Sequence, residues 1–167
     1  MVQFAINNPE LQSTSMLVFR QFILILSLIT SPSWANAEVL LKDNLGNNTP
    51  FSALKGKWVF INYWASWCPS CLDEIPEFNR FYDHHKNDPI ALYAVNFDGL
   101  SQAAQKFLIK RFNINYPSLT EDPSDDLQLG DIRGIPVTFI FNPKGELVKT
   151  LYGGQTAETL NEVMEKA

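Results

Sequence analysis

Residues 58–64, Trp58-Val59-Phe60-Ile61-Asn62-Tyr63-Trp64, make an apolar and aromatic run of strand length, and Trp67-Cys68-Pro69-Ser70-Cys71 follows it closely. A run apolar on both alternating faces reads as a buried strand of a parallel sheet. Beyond the cysteines, Leu72, Ile75, Phe78, Phe81 and Tyr82 recur near helical spacing, with Asp73, Glu74, Glu77, Asn79 and Arg80 between them. The chain must therefore turn from strand to helix at a pair of cysteines, the only 2 it contains. A strand feeding a helix that opens on C-x-x-C predicts a dithiol redox centre.

The chemistry is local. The first N–H groups of a helix lack intrahelical partners and lie at the positive end of its dipole, so a thiolate at Cys68 is stabilised there. Pro69 suits the first helical position, where its missing N–H would have no partner anyway. Cys71, one turn on, is placed to attack a mixed disulfide formed at Cys68, and the pair can cycle by thiolate exchange. Three blander readings are weaker. A purely structural disulfide across so short a loop restricts the unfolded chain little. Zinc needs four ligands, and only the adjacent His84 and His85 remain to join the cysteines. Covalent haem attachment needs His after the second Cys, where this chain has Leu72.

Trp67-Cys68-Pro69-Ser70-Cys71, with Pro76 further along the helix, resembles a thioredoxin-fold active site. The run from Leu54-Lys55-Gly56-Lys57 through Cys71-Leu72-Asp73-Glu74-Ile75-Pro76 is more closely similar to the TlpA/ResA/DsbE (CcmG) branch of bacterial extracytoplasmic thioredoxins. Gly134-Ile135-Pro136-Val137-Thr138-Phe139-Ile140 and Asn142-Pro143-Lys144-Gly145 match the later segments of that branch. The resemblance covers roughly residues 39–165 and implies an α/β thioredoxin fold, a central mixed β-sheet flanked by helices. It implies that Cys68 attacks, Cys71 resolves and Glu74 handles the proton. It further implies a cis Ile135–Pro136 bond beside the dithiol, with Trp67, Pro69, Ser70, Ile135 and Pro136 meeting the partner. Where thioredoxin has a buried acid in the preceding strand, this chain has Asn62, so proton handling passes to Glu74 or water. Leu72 stands where many relatives carry a base, making the partner surface more apolar. Trp64 is expected in the core, and His84 and His85 only at the negative end of the helix.

The rest of the mature chain fits such a sheet. Residues 38–41 predict a short first strand, and Gly46-Asn47-Asn48-Thr49-Pro50 a turn. Pro76 is expected to kink the active-site helix. Residues 90–97 read as a second buried strand, and Ser101 as the N-cap of a helix turning Ala104, Phe107, Leu108 and Phe112 inward. Residues 120–126 read as a solvated acidic loop and 127–132 as a short helix. Residues 137–141 and 146–152 form a hairpin about Asn142-Pro143-Lys144-Gly145, and Thr156 starts a closing helix. Helices are expected on both faces of the sheet.

Residues 1–37 read as separate from the domain at 38–167. Arg20 precedes the apolar run Phe22-Ile23-Leu24-Ile25-Leu26-Ser27-Leu28-Ile29, and Ala35-Asn36-Ala37 makes an A-x-A cleavage site. A signal peptide cleaved after Ala37 is expected, starting at Met16, with an uncleaved membrane anchor as the alternative; no cysteine near the site calls for a lipid anchor. Periplasmic export follows, a compartment where disulfides persist and a useful dithiol must be re-reduced. A net charge of −5 without a basic cluster argues against nucleic acid.

The expected protein is an exported thiol-disulfide oxidoreductase that reduces protein disulfides. It needs no cofactor or metal, is expected to be a monomer, and takes electrons from a membrane thiol-disulfide donor. The resemblance suggests apocytochrome c, in cytochrome c maturation, as substrate. A copper carrier using Cys68 and Cys71 is the alternative from another class, since thiolates suit Cu(I); the copper-carrying thioredoxin folds, however, widen the cysteine spacing and add a His that this chain lacks after the strand at 90. Peroxidases on the same fold carry Pro and Thr ahead of the reactive Cys, which residues 63–67 do not supply.

Overall fold

The computed structural model describes residues 38–166. The expected leader, cleavage site and start at Met16 lie outside the described residues. Strand β1 (Leu40–Lys42) pairs antiparallel with β2 (Asn48–Pro50), and a 3-10 segment, Phe51–Leu54, follows. Residues 48–50, expected as part of a turn, are therefore a strand. The turn itself is shorter: the Asp43 carboxylate accepts from the backbone N–H groups of Leu45 and Asn47, and Gly46 takes the left-handed conformation.

The main sheet has the order β5-β4-β3-β6-β7, built from β3 (Trp58–Trp64), β4 (Ile90–Asn96), β5 (Ser118–Leu119), β6 (Val137–Phe141) and β7 (Leu147–Tyr152). Strands β3, β4 and β5 run parallel, while β6 and β7 pair antiparallel, so the sheet is mixed. Helix α1 (Pro69–His84) follows β3, α2 (Gln102–Arg111) follows β4, and α3 (Ala157–Lys166) closes the domain. Ser101 caps α2, its hydroxyl accepting from the Ala104 N–H. Helix α1 continues through Pro76, which has no N–H to offer the preceding turn.

Strand β3 is central, and its alternation divides the core. Phe60 and Trp64 face one cluster with Ile75, Phe78 and Phe81 of α1, Leu108 and Ile109 of α2, and Leu160 of α3. Val59, Ile61 and Tyr63 face the other, which is closed by Leu41, Leu54, Leu119 and Leu129. All three helices thus give their buried residues to the first cluster, and strand, 3-10 segment and loop cover the second. This departs from helices on both faces. Two other expectations change. Phe107 is exposed, because Leu108 and Ile109 are both buried and the inward stripe of α2 lies one position further on. Residues 127–132 are the end of a turn followed by irregular loop rather than a helix, since Gln128 and Gly130 have φ of 54° and 75°. Nor is the acidic loop simply solvated: Asp122 accepts a 2.7 Å hydrogen bond from the Tyr63 hydroxyl.

Candidate active site

Strand β3 ends under the helices at Trp64, which is fully buried. The following residues are held to the loop after β4. The Ser66 N–H and hydroxyl each donate to Asp98 at 2.9 Å, and Asn96 Nδ2 donates to the same carboxylate at 2.6 Å. Cys68 then occupies the N-cap of α1, with Pro69 at its first position. In this state Cys68 and Cys71 are joined as a disulfide, their Cα atoms 5.3 Å apart. Cys68 Sγ still accepts from the Cys71 N–H at 3.3 Å. The same N–H would face the thiolate after reduction, the arrangement that favours the charged sulfur at a helix N-terminus.

Cys71 is fully buried and Cys68 nearly so, while Trp67 is 65% exposed beside them and Pro69 and Ser70 lie at the surface. Attack from solvent therefore falls on Cys68. The Ile135–Pro136 peptide bond is cis, as the resemblance implies, and the Ile135 carbonyl oxygen stands 3.9 Å from Cys68 Sγ. The loop after β7 closes the other side. The Gly153 N–H donates to the Pro136 carbonyl, and a side chain at Gly154 would meet the Ser70 carbonyl oxygen at 3.5 Å.

Glu74 is 3% exposed, one turn beyond Cys71 on α1. Its Oε1 accepts from Asn62 Nδ2 at 2.8 Å and its Oε2 from the Gln155 N–H at 3.0 Å. Burial raises its pKa to about 7, against the lowering effect of those two donors. A carboxyl group in that range can take or return a proton near neutrality. Residue type alone favours a solvated carboxylate here; burial under the sheet makes it otherwise.

The structure thus brings together Cys68, Cys71, Glu74, Ile135 and Pro136, with Trp67, Pro69 and Ser70 on the outer rim. It also adds residues that received no role from the sequence: Asn62 and Thr138 across the β3–β6 pair, Gln155, Gly154, and the Ser66–Asp98 clamp. One signal was available. An Asn in the middle of an apolar strand must find a partner when buried. The others come from loops that only the folded chain places beside the dithiol. Among the described residues, no three or more His, Cys, Asp or Glu side chains gather as metal ligands.

The mixed sheet, the N-terminal C-x-x-C and the facing cis-proline define a thioredoxin-fold dithiol protein. The AhpC/TSA family matches residues 35–150. The thiol-disulfide oxidoreductase ResA of Bacillus subtilis is 34% identical over 125 residues, covering 75% of this chain and 69% of the relative. Among solved structures, StoA from Bacillus subtilis superposes with a TM-score of 0.64 at 33% identity, covering 78% of this chain and 98% of StoA. The pneumococcal exposed lipoprotein thioredoxin from Streptococcus pneumoniae gives 0.68 at 26% identity, covering 78% of this chain and all 100% of its own. The chain belongs to the AhpC/TSA family, and it is a thiol-disulfide oxidoreductase of the ResA and StoA kind.

Proposed function

We propose that this enzyme works outside the cytoplasm as a reductant of protein disulfides. The Cys68 thiolate attacks one sulfur of a partner disulfide, forming a mixed disulfide and releasing the partner's first thiolate. Cys71 then attacks Cys68 Sγ, releasing the second thiolate and leaving the Cys68–Cys71 disulfide. Two electrons pass to the partner, and its thiolates take up two protons. Glu74 accepts the Cys71 proton as that thiol becomes the nucleophile. Trp67, Pro69, Ser70, Ile135 and Pro136 hold the partner chain. A membrane thiol-disulfide donor restores the dithiol, and no cofactor takes part.

The observation that carries this reading is the Ile135 carbonyl standing 3.9 Å from Cys68 Sγ, so that the exchanging sulfur and a backbone edge share one surface. Export rests on the expected signal peptide, with residues 38–167 as the mature domain. A leader fits a dithiol meant for an oxidising compartment, and the pneumococcal relative is an exposed lipoprotein. Among the described residues, no helix is long and apolar enough to cross a membrane. Apocytochrome c is the substrate we favour.

Three measurements test the proposal. Equilibrating the mature domain with thiol buffers should give a potential near thioredoxin's, about −270 mV; a value near about −120 mV would make it an oxidant and overturn the direction. A Cys71→Ser variant expressed with its leader should accumulate mixed disulfides through Cys68 with c-type apocytochromes in the extracytoplasmic fraction. Unchanged c-type cytochrome levels after gene deletion would remove that substrate.

A further inference from the structure

Asn62 sits in the middle of β3, 1% exposed, in a strand otherwise apolar apart from Tyr63. Its amide nitrogen donates in two directions. Nδ2 donates to Glu74 Oε1 at 2.8 Å and to Thr138 Oγ1 at 3.2 Å, Thr138 being its register partner on β6. An ionised carboxylate only accepts, so the amide nitrogen must be the end that faces Glu74. The second carboxylate oxygen is held separately, by the Gln155 N–H at 3.0 Å. Glu74 is therefore gripped at one oxygen by the sheet and at the other by the loop that touches Pro136 and Ser70.

We propose that Asn62 is a positioning residue for Glu74: its Nδ2 holds Oε1 and favours the carboxylate, orienting the acid for proton exchange with the dithiol. The inference rests on the reading of Glu74 as the proton-handling acid. Among the described residues, no charged side chain donates to Glu74. Strand β3 presents Asn62, β6 presents Thr138, and the loop at 153–155 presents backbone. The titratable groups facing Glu74 are Cys71, one turn back on α1, and Tyr116, whose buried hydroxyl feels the Glu74 charge. A neutral amide is thus the side-chain donor that offsets burial, assisted by one backbone N–H. Two hydrogen bonds to the charged form oppose the desolvation that disfavours it.

The test is the titration of Glu74, followed by carboxyl-carbon NMR in the reduced mature domain, with the pH–rate profile for reduction of a small aromatic disulfide. Asn62→Leu keeps the branched heavy-atom shape and removes the donor. It should move the Glu74 titration upward by about one pH unit, with the step in the rate profile moving alongside. Thr138→Val leaves the Asn62–Glu74 bond in place and should move both less. A well-folded Asn62→Leu whose Glu74 titrates as in the parent overturns the proposal, because a residue that only fills the core would alter melting and nothing else. Should Asn62→Leu fail to fold, Asn62→Ala gives the same reading by the same criterion. A rate step that persists in Glu74→Gln removes the acid's role in exchange, whereas the NMR titration decides separately whether Asn62 sets Glu74.

Discussion

Asn62 and Tyr63 are neighbours on β3, and each donates a hydrogen bond to a carboxylate, on opposite faces of the sheet. Asn62 reaches Glu74 on the side of the helices, and Tyr63 reaches Asp122 at 2.7 Å on the other. Glu74 lies on a buried face of α1, so water has been removed from it and its pKa climbs to about 7. Asp122 is in an exposed loop, where its charge stays hydrated. The desolvated side is Tyr63, whose own ionisation is pushed upward chiefly by burial and further by the Asp122 bond. The same donor–carboxylate pair therefore yields a titrating acid beside the dithiol and a loop tether on the far face. Burial of the acid, more than the bond itself, makes the difference.

The largest way to break that contrast is Glu74→Gln. A carboxyl group whose folded pKa is raised above its unfolded value adds stability below the unfolded pKa and loses it as pH rises through the folded one. With values of 4.5 and about 7, Glu74 should cost the fold about 3 kcal/mol between roughly pH 4.5 and 7, and no more above that. Denaturant melts across that range should show the slope in the parent and its loss in Glu74→Gln. The absolute level is a separate matter, since a glutamine leaves either the Asn62 amide or the Gln155 N–H facing a donor. A parent whose stability is flat from pH 4.5 to 7 would mean Glu74 is not held dry.

Tyr63→Phe comes next. It removes a hydrogen bond to a charged acceptor, worth about 1.5 kcal/mol, and leaves the ring packed against Phe139 and Phe97. Because Glu74 is on the other face, the loss should be equal at pH 6 and pH 8 in paired melts. A loss that changes between the two would show the faces to be coupled through β3.

Much of this was visible before folding, and the part that was not has one cause. The buried strand at 58–64, the N-capped α2, the hairpin at 137–152 and the C-x-x-C helix follow from periodicity and capping, which are local. The identity of the dithiol as a redox site followed from spacing and strand-to-helix context, and the belonging to a family from motifs spread along the chain. What escaped was long-range. Nothing adjacent to Asn48 announces that it pairs with Lys42, and the left-handed Gln128 that denies 127–132 a helix has no signature of its own. Phe107 was placed inward by a period that Ile109 also satisfies, and only the packing chooses between them. Likewise Glu74 keeps hydrogen-bond partners in a dry site because Asn62, twelve residues earlier in sequence, and Gln155 from much later in the chain converge on it.

Asp122→Asn gives the smallest effect and the sharpest comparison with Glu74→Gln. Both replace a carboxylate by its amide, but at position 122 the amide oxygen can keep accepting from Tyr63, and solvent can meet the new amide nitrogen. The change should cost about 0.5 kcal/mol, within the range of surface substitutions, with no slope between pH 4.5 and 7 removed. The Tyr63→Phe loss measured in that background should fall as well, because a neutral acceptor makes the weaker bond. A double-mutant cycle reads the difference directly. If Asp122→Asn instead cost as much as Tyr63→Phe, the charge on Asp122 would matter in itself. The far face would then hold a buried ion-like pair of its own, and burial would no longer separate the two sides of β3.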